Sequence, residues 1–111
     1  MIWPDDVDGD VFRRLANDDF DFSRHHTIDF NIDFAYWPPP DDALATVRQS
    51  YPDITLCPPE DGDAGYVLVR VHDLLSYELV IRVQKDLSNR TTKYGGKCES
   101  WGVFNDKAKG A

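Results

Sequence analysis

A chain of 111 residues holds one hydrophobic core, and with 41% hydrophobic and 13% aromatic residues it is too apolar to be globally disordered. Acidic residues outnumber basic ones by 20 to 12, a net charge of −8 that argues against a partner bound through its phosphate backbone. The excess is concentrated in residues 1–63, which carry 15 acids and four arginines, whereas residues 64–111 carry five acids and eight bases.

Pro4 sets a turn, and Asp5 or Asp6 caps a first helix by accepting from an unpaired backbone N–H. Val7, Val11 and Leu15, with Phe12 beside them, form its predicted apolar stripe, and Gly9 weakens it. Asn17 and Asp18 close it, and residues 18–26 read as a polar loop carrying Phe20 and Phe22. The clearest alternation follows. Ile28, Phe30, Ile32, Phe34 and Tyr36 take one face of a strand, and Asp29, Asn31 and Asp33 take the other. Such a strand belongs to an antiparallel sheet covered on one side.

The Trp-Pro-Pro-Pro run at 37–40 stops that strand. Asp41 and Asp42 open a short helix with Leu44, Val47 and Tyr51 on its apolar edge, ended by Pro52. Ile54, Leu56 and Cys57 form a short strand that Pro58 and Pro59 confine to an edge. Residues 60–65 supply turn chemistry. The next strand places Val67, Val69 and Val71 on one face and Tyr66, Leu68, Arg70 and His72 on the other. Asp73 or Ser76 opens the longest helix, in which Leu79, Val80, Val83, Leu87, Thr91 and Tyr94 keep the helical rhythm. Gly95 and Gly96 end it in the left-handed region. Residues 97–104 are the last strand, with Gly102 as its bulge.

After the first helix the order is therefore strand, helix, strand, strand, helix, strand. This predicts an α+β fold of the ferredoxin-like split βαβ type (βαββαβ), a four-stranded antiparallel sheet with an extra N-terminal helix. Right-handed crossovers put the first and third strands in the centre. Cys57 and Cys98 then fall on opposite edges, too far apart for a disulfide. One domain is expected over residues 1–106, with a flexible tail at 107–111.

Catalysis has little support. There is no Gly-x-Ser-x-Gly, no phosphate loop and no cysteine placed beside a histidine, and the carboxylates sit in cap and turn contexts. His25 and His26 are adjacent and lack a metal-ligand spacing. Asp5, Asp6, Asp8 and Asp10 crowd a helix start, where the dipole favours them, and they lack the register of a calcium loop. On the long helix Arg82, Lys85, Asn89 and Lys93 share one solvated face. Asp29, Asn31 and Asp33 are different, because neither a cap nor a turn explains them. Trp37 and Trp101 stand near element ends as candidate anchors.

The closing stretch YGGKCESWGVF at 94–104 resembles that of the B-type regulators of ribonuclease E activity, where a long helix ends in paired glycines before a strand with a Trp-Gly pair. Residues 9–34 are similar to that family's opening helix, loop and first strand, and residues 57–71 to its hairpin. The resemblance implies a cytoplasmic bacterial protein with a ferredoxin-like α/β sandwich, which binds and inhibits ribonuclease E and performs no catalysis. Ser100 stands where that family has glycine, and Lys-Ala-Lys-Gly stands in place of a polyacidic tail.

The expectation is a non-catalytic regulator that needs no cofactor or metal. Its partner is a protein, ribonuclease E by resemblance, with neither nucleic acid nor membrane bound directly. It is expected to be a monomer or weak homodimer. The residues expected to meet the partner are Asp29, Asn31 and Asp33, then Asp5, Asp6, Asp8 and Asp10, with Trp37 and Trp101. The alternative is a small-molecule or metal-binding module using His25, His26, His72 and Cys57.

Overall fold

The computed structural model describes residues 3–62 and 64–103. Helix α1 spans Val7–Asn17, strand β1 His25–Phe34, helix α2 Asp41–Arg48 and strand β2 Ile54–Cys57. Strand β3 spans Tyr66–Leu74, helix α3 Tyr77–Thr91 and strand β4 Gly96–Val103, with a single 3-10 turn at Thr92–Tyr94. The strands form one open antiparallel sheet in the order β2-β3-β1-β4. The tail expected at 107–111, and Phe104 of the last strand, lie outside the described residues.

The alternation of β1 becomes its burial. Ile28, Phe30 and Ile32 are fully buried and Phe34 nearly so, while Thr27, Asp29, Asn31 and Asp33 are half-buried or exposed. Each buried side chain of this size contributes about 1.5–3 kcal/mol relative to its exposed state. Val67 and Val69 of β3, Leu79, Val80, Val83 and Leu87 of α3, and Ala43, Leu44 and Val47 of α2 complete the core. Tyr36 falls outside β1 and is exposed, because the chain turns away before the proline run.

Helix α1 differs from its predicted stripe. Gly9 and Phe12 are its buried residues and Val7 is 79% exposed. The rest of the stripe holds, since Phe12 is buried, Leu15 packs against the core and Val11 is half-buried, so only Val7 falls outside it. Gly9 is required rather than tolerated: a Cβ there would lie 1.9 Å from the Pro4 carbonyl oxygen. Asp6 is the cap, its Oδ1 accepting from the Gly9 N–H at 2.7 Å. Ser76 caps α3, and Asp73 stays in β3, where it accepts from the Leu74 N–H.

Gly95 stops the chain in the left-handed region at φ 80°, whereas Gly96 already begins β4 and packs against Thr91. The β4 bulge falls at Glu99, since Ile32 faces Cys98 while Asn31 faces Ser100. Across from Gly102 the pairing with Asp29 is regular. Both cysteines are free, on opposite edge strands that three strand spacings hold roughly 14 Å apart.

The α2–α3 contact is tied by Arg90. Its Nε donates to Asp86 Oδ2 at 2.9 Å, Nη1 to the Thr46 carbonyl at 2.7 Å and Nη2 to Ser50 Oγ at 2.8 Å. Tyr51 donates its hydroxyl to the same Asp86 oxygen at 2.7 Å. Burial, then that bond, push the Tyr51 phenol up to about 12.

Candidate functional site

The sheet has one face under the helices and one face without a helix on it among the described residues. In the register of the central pair, Thr27 faces His72, Asp29 faces Arg70, Asn31 faces Leu68 and Asp33 faces Tyr66. β4 adds Ser100 beside Asn31 and Lys97 beside Asp33, and β2 adds Thr55 and Cys57. The period of two places all of these side chains on the uncovered face.

The three polar residues of β1 are not equivalent. Asp29 has a side chain only 21% exposed, and its Oδ1 lies 3.7 Å from Arg70 Nε. Arg70 also approaches Asp53 at 3.8 Å and donates to Thr55 Oγ1 at 3.4 Å. One arginine thus faces two carboxylates, and the buried Asp29 Oδ1 lies in ion-pair range of Arg70 without accepting a hydrogen bond. Asn31 donates to Ser100 Oγ at 3.1 Å, and Asp33 is exposed at the end of the row. Asp33 is thus the carboxylate of this face most open to a partner's cation.

The four aspartates of the first helix lie on the helical side of the sheet, away from Asp29, Asn31 and Asp33. Asp8 accepts from Trp101 Nε1 at 2.8 Å and from Gln84 Nε2 at 3.2 Å, tying α1 to β4 and α3. Asp6 caps α1 and accepts from the Tyr77 hydroxyl at 2.5 Å. The bond from Tyr77, then that from the Gly9 N–H, hold its carboxyl below the ordinary 3.8. The same bond pushes the Tyr77 phenol up to about 12. Asp10 pairs with Arg13, and the exposed Asp5 lies 4.0 Å from that arginine.

The two tryptophans are also apart. Trp101 packs on Phe12 with ring centroids 5.5 Å apart, on the helical side. Trp37 is half-buried and covers Gly65, where a Cβ would come within 2.4 Å of its ring. The sequence residues thus divide into three places: the uncovered sheet face, the α1 corner and the Trp37–Gly65 contact.

The histidines and Cys57 do not form one cluster. His25 and His72 stack on the uncovered face with centroids 5.9 Å apart, and His72 Nδ1 lies 3.4 Å from Thr27 Oγ1. His26 turns inward, packs on Phe20 and donates from Nε2 to the Asp21 carbonyl at 2.8 Å. Cys57 is paired with Tyr66, at the far end of β3 from His72. Among the described residues no three His, Cys, Asp or Glu side chains could hold a metal ion. No helix among them is long and apolar enough to cross a membrane.

One feature escaped the sequence reading. Trp3, Phe12, Phe22 and Tyr77 assemble into a ring cluster lining a groove between the N-terminal segment and the corner joining β3 to α3. Its signal was the presence of Phe20 and Phe22 in an otherwise polar loop and of Trp3 before Pro4, all apolar residues with no periodic element to bury them.

No curated protein matches the sequence. The family described as regulator of ribonuclease activity B matches residues 5–103, nearly the whole chain and all seven helices and strands. The chain belongs to that family.

Proposed function

We propose that this member of the regulator of ribonuclease activity B family is a non-catalytic modulator that binds a ribonuclease, ribonuclease E by resemblance, through the uncovered face of its sheet. The family supports the coarser part: a protein that regulates ribonuclease activity and so has a protein partner. The observation that carries the finer part is the central strand itself. Its apolar alternate residues are buried, while Asp33, Asn31 and the Asp29–Arg70 pair line a face with no helix upon it. A ferredoxin-like βαββαβ frame is supported by the strand order and by the helices that follow β1 and β3.

The mechanism is electrostatic steering followed by short-range contact. A net charge of −8 attracts a basic nuclease segment, raising association rates by roughly 10–10³-fold at low salt. Docking over Asp33 and Asn31 then fixes its position. Inhibition comes from occupying the nuclease, so neither a nucleophile nor a metal is required of this chain.

The test is capture of purified ribonuclease E by the immobilised chain across a salt series. Asp33→Lys reverses an exposed charge without breaking an internal pair and is expected to weaken capture about tenfold. Asp41→Lys makes the same change of net charge at the start of α2 and is expected to change it little. Equal capture by wild type and Asp33→Lys overturns the assignment of this face.

A further inference from the structure

We propose that the groove beside α1 is a docking site for a basic, apolar peptide segment of a protein partner. The groove encloses about 760 Å³ between the Trp3–Pro4 segment and the β3–α3 corner. This is a second surface, on the helical side of the sheet. The proposal rests on the protein-binding reading and deepens it by naming the chemistry of the segment bound.

The lining is aromatic. Trp3, Phe12 and Phe22 form a triangle of rings with centroids 5.5, 5.7 and 6.0 Å apart, and Tyr77 meets Phe12 edge-on at 6.2 Å. Leu74, the last residue of β3, is paired with His25 and borders the groove with 42% of its surface exposed. Aromatic walls of this kind take aliphatic and aromatic anchors, and their faces take a guanidinium by cation–π attraction. The volume suits two or three side chains of an incoming peptide.

The rim chooses the charge of the occupant. Glu78 lines the groove and is exposed, whereas Asp5 lies outside the lining, beside Arg13. Asp6 sits beside the ring of Tyr77 with its carboxylate on the phenol hydroxyl. An apolar floor bordered by carboxylates complements a segment in which Arg or Lys flanks hydrophobic residues. An acidic segment would meet repulsion at the rim, and a purely polar basic one would leave the aromatic floor unused.

The experiment titrates the full chain by calorimetry with three synthetic peptides of about twelve residues, in about 0.15 M salt. One alternates Arg with Leu, one Glu with Leu and one Arg with Ser. The Arg/Leu peptide is expected to bind at least about tenfold more tightly than either of the others. Leu74→Glu is the deciding variant, because it adds a negative charge while removing the apolar lip. Docking in the groove predicts that it weakens the Arg/Leu peptide about tenfold, whereas attraction by charge alone predicts tighter binding. Glu78→Lys is expected to weaken the peptide as well, and Asp33→Lys to leave it unchanged.

Equal binding of the Arg/Leu and Arg/Ser peptides, or no loss on Leu74→Glu in a chain whose thermal midpoint is retained, overturns the proposal. So does a dimer that Leu74→Glu dissociates, which assigns the groove to a second copy. Absence of the peptide preference while nuclease capture still responds to Asp33→Lys overturns the groove alone. The reverse pattern overturns the sheet-face reading alone.

Discussion

Gly9→Ala inverts an ordinary expectation. Inside a helix the change from glycine to alanine stabilises by about 1 kcal/mol, because the unfolded chain has less backbone freedom to lose. Here the new methyl would sit 1.9 Å from the Pro4 carbonyl oxygen, 3.0 Å from its carbon and 3.2 Å from Asp6 Oδ1. The first two are backbone atoms and cannot swing aside as the end of a side chain can. Relief requires the Trp3–Pro4 segment to lift from the helix. That disturbs the bonds from Arg13 Nη1 to the Trp3 and Pro4 carbonyls, at 3.1 and 3.2 Å, and the stacking of Trp3 on Phe12. Overpacking of this kind costs about 1–3 kcal/mol, which outweighs the helix gain at most of its range. The net expectation is a loss of about 1 kcal/mol, or roughly 4–8 °C in the thermal midpoint of a domain this size. Urea unfolding followed by tryptophan fluorescence measures it, and Trp3 emission in the native state reports the lifted segment. A Gly9→Ala chain more stable than wild type, with Trp3 emission unchanged, would refute the close approach of Pro4 to α1.

Further outcomes follow from the same contacts. Arg90→Lys keeps the charge but cannot serve Asp86, Thr46 and Ser50 together, so a loss of about 2 kcal/mol is expected in urea unfolding. Tyr51 and Tyr77, both raised to about 12 from the ordinary 10, are expected to ionise well above pH 10 in an ultraviolet pH titration. Because their folded values are raised, the associated stability is present below pH 10 and is lost as the pH rises toward 12. Asp6 is lowered instead, so its contribution is present above 3.8 and is lost as the pH falls through the folded value; Asp6→Asn should flatten the acid limb of a stability–pH curve. Burial pushes the Cys98 thiol up to about 12, so a thiol reagent at neutral pH should modify Cys57 in the native chain and reach Cys98 only after unfolding.

What the sequence disclosed and what it withheld divide along local and non-local physics. The run from Thr27 to Phe34 could be read directly, because a period of two is a local property that leaves only one way to bury Ile28, Phe30, Ile32 and Phe34 together. Helix α3 was legible for the same reason, with its Ser76 cap and its Gly95 stop both written within a few residues of its ends. The aspartates of α1 were not. Asp8 looks like a helix-dipole residue, yet its decisive partner, Trp101, lies 93 positions away in β4. Gly9 reads as a weak helix residue until Pro4 is seen folded back upon it. The aromatic groove joins Trp3, Phe12, Phe22 and Tyr77 from four separate segments, and no periodicity connects them. The family resemblance drew on the end of α3 and the Trp101–Gly102 pair, where local stop signals and a buried ring coincide.

We propose that the chain regulates by binding the nuclease through its uncovered sheet face. The most direct measurement is the rate of RNA cleavage by purified ribonuclease E as the chain is added, at low and high RNA concentration, with wild type and Asp33→Lys compared. The predicted result is that wild type slows cleavage and that Asp33→Lys requires about tenfold more protein for the same effect. Cleavage unaffected by wild type, or equal potency of the two chains, would contradict it.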